Sequence, residues 1–311
     1  MKAAQIDNYG DVSAIEIREV EKPTITEEQV LIEVAAASLN PFDTSVRAGY
    51  AQSMAPLTFP ATLGLDLTGT IVEVGANVTG FGVGEKVYGT ANAMFGASGA
   101  FAEYTAANAT SVAVAPKNIS DTEIASLPTA GVSALQAVVD NIQLKSGQKI
   151  FINGGSGGVG STAIQIAKHL GAYVAVAASA DNRDFALSLG ADEFIDYKTQ
   201  NYKDVISDYD AVLNNVYGDN TIELLDVLKQ GGVAVSMTGG FDDDKAASLG
   251  VKAINMGTMV TTSSLNELTK LVEDGIVTVA IDQTFTLDQI KEAFIARETE
   301  SVKGKIAIKI A

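Results

Sequence analysis

Lys149-Ile150-Phe151-Ile152-Asn153-Gly154-Gly155-Ser156-Gly157-Gly158-Val159-Gly160 is the stretch on which the reading of this chain turns. The apolar run Ile150 to Ile152 predicts a short buried strand, and the glycines predict a turn. Ser161 to Leu170 carries Ile164, Ala167 and Leu170 at helical spacing, so a helix should follow. Gly155, Gly157 and Gly160 have the GxGxxG spacing, which is weak alone but gains force between a strand and a helix. A turn without side chains lets the backbone approach a pyrophosphate, and the helix N-terminus offers it free N–H groups and partial positive charge. Gly155, Ser156, Gly157, Gly158, Val159 and Gly160 are therefore the candidate dinucleotide-binding residues.

Outward from this turn the chain alternates. Tyr173 to Ala178 is an apolar strand, Arg183 to Leu189 a helix and Glu193 to Ile195 a strand. Asp210 to Leu213, Ile222 to Leu228 and Gly232 to Met237 continue as strand, helix and strand. That order predicts an α/β fold with a doubly wound parallel sheet covered on both faces. The first third differs: Val30 to Val34 and Leu67 to Val74 read as strands among recurring glycines, so a β-rich domain is expected. The helix Asn266 to Asp274, a segment Val277 to Ile281, the helix Leu287 to Ala296 and the strand Lys305 to Lys309 do not continue the nucleotide fold. They should return to complete the first domain. The expected organisation is residues 1–118 with 264–311 as one domain and 119–263 as the other.

The identity of the dinucleotide turns on the end of the second strand. NAD sites usually place a carboxylate there for the ribose 2′-hydroxyl. Here Ala177-Ala178 is followed by Ser179, and Asp181 falls a few residues late. Ser179, Asn182 and Arg183 lie where a 2′-phosphate would sit, and Arg183 is able to pair with it. NADPH is the expected cofactor.

The 311 residues carry a formal net charge of −17, spread along the chain, which speaks against nucleic acid and anionic lipid partners. No stretch approaches the length of a membrane span, and a cytoplasmic protein is expected. With no cysteine there is no disulfide, thiolate nucleophile or cysteine-held metal. The one histidine, His169, reads as a surface helix residue.

Several further segments carry a resemblance: Leu39-Asn40-Pro41-Phe42-Asp43, Arg47-Ala48-Gly49-Tyr50, Gly64-Leu65-Asp66-Leu67-Thr68-Gly69, Gly99 to Tyr104, Leu127 to Ala134, Leu189 to Tyr197 and Gly304 to Ile308. In this order, with the glycine turn, the chain resembles the quinone oxidoreductase (zeta-crystallin-like) branch of the medium-chain dehydrogenase/reductases. The resemblance implies a GroES-like catalytic domain built from both chain ends, a Rossmann domain, and a cleft between them for the nicotinamide. It places Asn40 and Asp43 near the nicotinamide end, Thr129 near its ring or ribose, and Tyr197 with Ser179 near the adenosine phosphate. Asn215 and Val216 match a cofactor-lining loop, although Asn214-Asn215 stands where relatives often have Asp-Thr. Homodimers of the family often pair Rossmann edge strands, which would be residues 251–260 here.

Zinc-dependent relatives have Gly-His-Glu where this chain has Gly64-Leu65-Asp66, and the four-cysteine lobe is absent. Three or four ligands in fixed geometry are required for zinc, so no metal is expected. Without a metal, an electron-poor acceptor that delocalises incoming charge fits hydride transfer best. Quinone reduction ranks first, reduction of a 2-alkenal or enone double bond second, and a non-catalytic NADPH-binding protein third. An enoyl carbon benefits from a placed acid, for which Tyr50 is the candidate. Ser45, where some relatives carry tyrosine, weakens the case for a fixed acid.

Overall fold

Lys149–Asn153 forms a central strand of a six-stranded sheet. Across the sheet the strands are Glu193–Asp196, Tyr173–Ala178, Lys149–Asn153, Tyr209–Asn214, Leu228–Ser236 and Lys252–Asn255, all parallel. Numbered by their order along the chain they read 3-2-1-4-5-6, the doubly wound order of dinucleotide-binding sheets. Ile150, Phe151 and Ile152 have no exposed surface, as a parallel strand covered on both faces requires. The computed structural model describes residues 1–54 and 56–310. This sheet and its helices form one of two compact units, residues 130–259 with 274–278.

The helix after the turn spans Gly158–His169 and so begins three residues before the apolar periodicity does. Its first turn is glycine and valine, which carry no amphipathic signal. The helix expected over 222–228 is instead a 3-10 helix, Asp219–Val227, that leads directly into the strand beginning at Leu228. Its tighter winding buries Leu224, Leu225 and Val227.

The other unit comprises residues 1–129, 260–273 and 279–311. One sheet runs Ile281–Thr286, Lys305–Lys309, Gln29–Leu39, Asp66–Val74, Lys86–Thr90 and Val112–Val114, with Tyr104–Asn108 also paired to Gln29–Leu39. A second sheet joins Glu16–Glu19, Lys2–Ile6 and Ala61–Thr62. Lys305–Lys309 lies antiparallel to Gln29–Leu39, so the end of the chain closes onto its beginning. The core includes Ile6, Ile32, Leu67, Ile71, Phe101 and Phe294. Phe101 and Phe294 meet edge to face at 6.1 Å, and each such buried ring stabilises by about 1.5–3 kcal/mol.

Residues 119–129, at the expected change of domain, lie with this first unit, where the helix Asp121–Ala125 packs on the strands Gln29–Leu39 and Asp66–Val74. Beyond the segment 277–281 the strand is Ile281–Thr286. Thr278 is held elsewhere, because its N–H and hydroxyl both donate to Gln165 Oε1 at 2.9 Å.

Candidate functional site

The glycine turn is fastened to its neighbouring strand. The N–H groups of Gly154 and Gly155 both donate to the Ala177 carbonyl, at 3.0 and 3.1 Å. Gly154 has φ +80°, in the left-handed region. The three motif glycines then differ in what they leave room for. A Cβ at Gly155 would collide with Val176, and one at Gly160 with the carbonyl oxygen of Gly154. At Gly157 nothing lies within 4 Å. Two glycines thus serve close packing, while the third leaves open space over the start of the helix. Gly157 is also the N-cap, with no side chain to occupy the free N–H groups.

The loop after Tyr209–Asn214 adds polar groups. Asn153 Nδ2 donates to Asn214 Oδ1 at 2.9 Å, and Asn214 Nδ2 donates to Ser236 Oγ and Thr238 Oγ1, both at 3.2 Å. Asn214 is thereby consumed inside the protein. Asn215 donates to the Asn153 carbonyl, but its Oδ1 is buried with no partner among the described residues. Leaving such an acceptor unpaired costs about 1–3 kcal/mol, which a ligand N–H or O–H would offset. Val216, 43% exposed, stands beside Gly154. The open cradle and the orphaned acceptor fit a dinucleotide.

At the end of Tyr173–Ala178, Ser179 and Asn182 are buried and bonded to each other, Asn182 Nδ2 donating to Ser179 Oγ at 3.0 Å. Arg183 is exposed, its guanidinium 5.5 Å from the Phe194 ring, with no ion-pair partner among the described residues. Tyr197 is 59% exposed just beyond the adjacent strand.

In the first unit, Asn40, Asp43 and Thr129 come together around two residues whose role the sequence did not reveal, Asp66 and Lys305. All of these except Thr129 are buried. Asn40 caps the helix Pro41–Ala48, and its N–H donates to Asp43 Oδ2 at 2.7 Å. Its amide is fixed at both ends: Nδ2 donates to Asp66 Oδ2 at 3.0 Å, and Oδ1 accepts from Lys305 Nζ at 2.5 Å. Asp66 Oδ1 accepts from the Thr129 hydroxyl at 2.5 Å and from its N–H at 3.1 Å. Lys305 Nζ is 3.7 Å from Asp66 Oδ2.

Burial governs the titration of this cluster. It pushes Asp43 up to about 7, a rise that the Asn40 N–H opposes, the Asp66 charge adds to and Lys305 opposes. Burial also pushes Asp66 up and the Lys305 ammonium down, each opposed by the other's charge. Asp66 has direct donors from Thr129 and Asn40 and the nearby ammonium, whereas Asp43 is supported by Asn40 alone, through its backbone N–H and its side chain. Asp66 and Lys305 form the ion pair of the cluster.

Asp43 also lines a small pocket with room for about one water, whose other walls include Phe42, Val46, Leu57, Leu65 and Asn92. Tyr50 is not among its walls; it is 82% exposed past the end of the helix. Arg47, quoted above with Tyr50, is a structural anchor. It donates to the Gly10 carbonyl at 3.1 Å and to Glu298 at 2.7 Å. Asp66 had a signal in its place within Gly64-Leu65-Asp66, but Lys305 shares strand parity with exposed Lys309 and so reads as a surface lysine.

Among the described residues no group of three or more His, Cys, Asp or Glu is arranged to hold a metal, and His169 is exposed. No helix among the described residues is long and apolar enough to cross a membrane.

Two family models match the chain: an alcohol dehydrogenase GroES-like domain over residues 26–117 and a zinc-binding dehydrogenase model over residues 189–308. A 2-methylene-furan-3-one reductase of Solanum lycopersicum is 36% identical over 99% of this chain and 79% of its own. A chloroplastic NADPH-dependent alkenal/one oxidoreductase of Arabidopsis thaliana is 34% identical with the same coverage. The quinone oxidoreductase of Coxiella burnetii superposes with a TM-score of 0.92 at 33% identity, covering 100% of this chain and 99% of that one. With this fold, this glycine turn and these relatives, the chain belongs to the quinone oxidoreductase branch of the medium-chain dehydrogenase/reductases, a family of NAD(P)H-dependent oxidoreductases.

Proposed function

We propose that the protein reduces a quinone with NADPH and without zinc. The observation that carries this reading is the open glycine cradle at Gly157 beside the unpartnered Asn215 acceptor, in a chain 33% identical to a quinone oxidoreductase over its whole length. The reduced dinucleotide, when bound, supplies the hydride. Gly155, Ser156, Gly157, Gly158, Val159 and Gly160 hold its pyrophosphate. Ser179, Asn182, Arg183 and Tyr197 serve the 2′-phosphate, with Arg183 as the free cation. Asn215 and Val216 line its path.

Asn40 and Thr129 are assigned to the nicotinamide end, and their internal bonds fix what they offer. Asn40 has its side chain held by Asp66, Asp43 and Lys305, so it meets a ligand as a fixed polar wall. Thr129 has given its hydroxyl proton to Asp66, so toward a ligand it is an acceptor. We assign Tyr50 no part in the chemistry, given its exposure. We further propose a cytoplasmic homodimer formed through the edge strand Lys252–Asn255, the strand within the segment 251–260.

A second reading, reduction of an enone or 2-alkenal double bond, is favoured by the two plant relatives at 36% and 34% identity, whose names state such acceptors. Steady-state oxidation of NADPH against a 1,4-quinone and a 2-alkenal in parallel separates the two. Faster turnover of the quinone supports the first reading; preference for the alkenal replaces it with the second.

A further inference from the structure

We propose that Asn214 is a positioning residue for the dinucleotide: its side-chain amide holds the loop Asn215-Val216 against the glycine turn. The inference rests on the assignment of that loop to the cofactor made above. Asn153, Asn214 and Ser236 are the last residues of three neighbouring parallel strands, Lys149–Asn153, Tyr209–Asn214 and Leu228–Ser236, and they stand side by side in register. Ligands of open α/β sheets bind beyond this carboxyl edge. Asn214 and Ser236 have no exposed surface.

The amide of Asn214 has one orientation. Its Oδ1 accepts from the Val216 N–H at 3.2 Å and from Asn153 Nδ2 at 2.9 Å, while its Nδ2 donates to the Val216 carbonyl at 3.1 Å. A backbone N–H only donates and a carbonyl only accepts, so Val216 fixes which end of the amide is which. The same Nδ2 reaches Ser236 Oγ and Thr238 Oγ1, both at 3.2 Å. Those hydroxyls have committed their protons to carbonyls, Ser236 to Gly239 at 2.7 Å and Thr238 to Val216 at 3.2 Å. Val216 in turn lies against Gly154, where an added Cβ would meet its Cγ2 at 2.7 Å. The N–H and Nδ2 of Asn215 donate to the Asn153 carbonyl at 3.1 and 3.3 Å. Asn214 therefore ties the loop to the strand that enters the turn, and Asn215, with its unpartnered Oδ1, is carried on the same loop.

The network is neutral: among the described residues no charged side chain bonds to Asn153, Asn214, Ser236 or Thr238. A carboxylate in place of the Asn214 amide would keep the two bonds that its oxygen accepts and lose every bond that its nitrogen donates. The Val216 carbonyl would then face a negative charge, and Ser236 and Thr238 would have to release Gly239 and Val216 to answer it. A protonated carboxyl, with one donor and one acceptor in the same places, would restore the bond to Val216.

The test is Asn214→Asp, a substitution of nearly the same size and shape. NADP⁺, which is stable in acid, is titrated into wild type and variant at about pH 5 and about pH 8, values that bracket the range of a carboxyl raised by burial. Melting temperatures at both values check that each protein is folded. At the higher pH the variant should bind about tenfold more weakly than wild type, the scale of one buried hydrogen bond left unmade. At the lower pH it should approach wild type. A variant that binds like wild type at both values, or is weaker by the same factor at both, would overturn the positioning role and leave the cofactor assignment standing. A wild type that does not bind NADP⁺ would overturn the cofactor assignment and the positioning role with it. If Asn214→Asp does not fold, Thr238→Val decides the matter, since it removes only the hydroxyl shared by Asn214 and Val216. A several-fold loss of NADP⁺ affinity in that folded variant supports the role, and unchanged affinity overturns it.

Discussion

The glycine turn of one unit and the buried charge cluster of the other do comparable work by opposite means. The turn has no charged side chain and works by leaving space: Gly155 and Gly160 fit only as glycine, and Gly157 keeps an open approach to the helix N-terminus. The cluster has two carboxyls and an ammonium in the core, held by hydrogen bonds between residues 26 to 265 positions apart. The turn is local and cheap to build. The cluster exists only after distant strands have met, and its charges cost free energy unless each is answered.

The largest expected effect breaks the turn. Gly157→Val should fold normally, since a Cβ there has no protein atom within 4 Å, yet block the backbone from the pyrophosphate. Losing about two charge-assisted hydrogen bonds, each about 1.5–3 kcal/mol, should weaken NADPH by about 10²-fold or more by titration calorimetry. Gly160→Val should instead lower the melting temperature, because its collision is with backbone. Equal behaviour of the two variants would erase the distinction between packing glycine and binding glycine.

Lys305→Met probes the cluster. Removing one partner of a buried pair should destabilise by about 3–5 kcal/mol. The sign with pH follows from the raised Asp66 and Asp43. Carboxyls whose folded pKa is raised stabilise the fold while protonated and lose that contribution as pH rises through the folded value. Without the ammonium the loss is larger, so the gap in melting temperature between wild type and variant should widen from about pH 5 to about pH 8. A gap that narrows would mean that the ammonium does not offset the carboxylates.

A smaller effect belongs to Arg183→Ala. It should weaken NADPH about tenfold, the scale of a charge-assisted pair partly exposed to solvent, and leave NADH almost unchanged. Equal losses for both would remove Arg183 from the 2′-phosphate site.

The contrast also explains what the sequence made legible. The strand Tyr173–Ala178 and the glycine turn were readable because apolar runs and turn residues are local signals. Asn40, Asp43 and Thr129 came through resemblance, and Asp66 and Lys305 with it, but only as quoted letters without a role. Lys305 could not have been found from periodicity, since its strand is buried on both faces while its parity matches that of exposed Lys309.

Zinc-free reduction of a quinone by NADPH is the proposed activity. It is tested most directly by mixing NADPH-loaded protein, dialysed against a chelator, with one equivalent of a 1,4-quinone and following the loss of NADPH absorbance in a single turnover. The account predicts one NADPH oxidised per quinone reduced, at a rate that the chelator does not change. NADPH that stays bound and unoxidised, or oxidation restored only by added zinc, would contradict it.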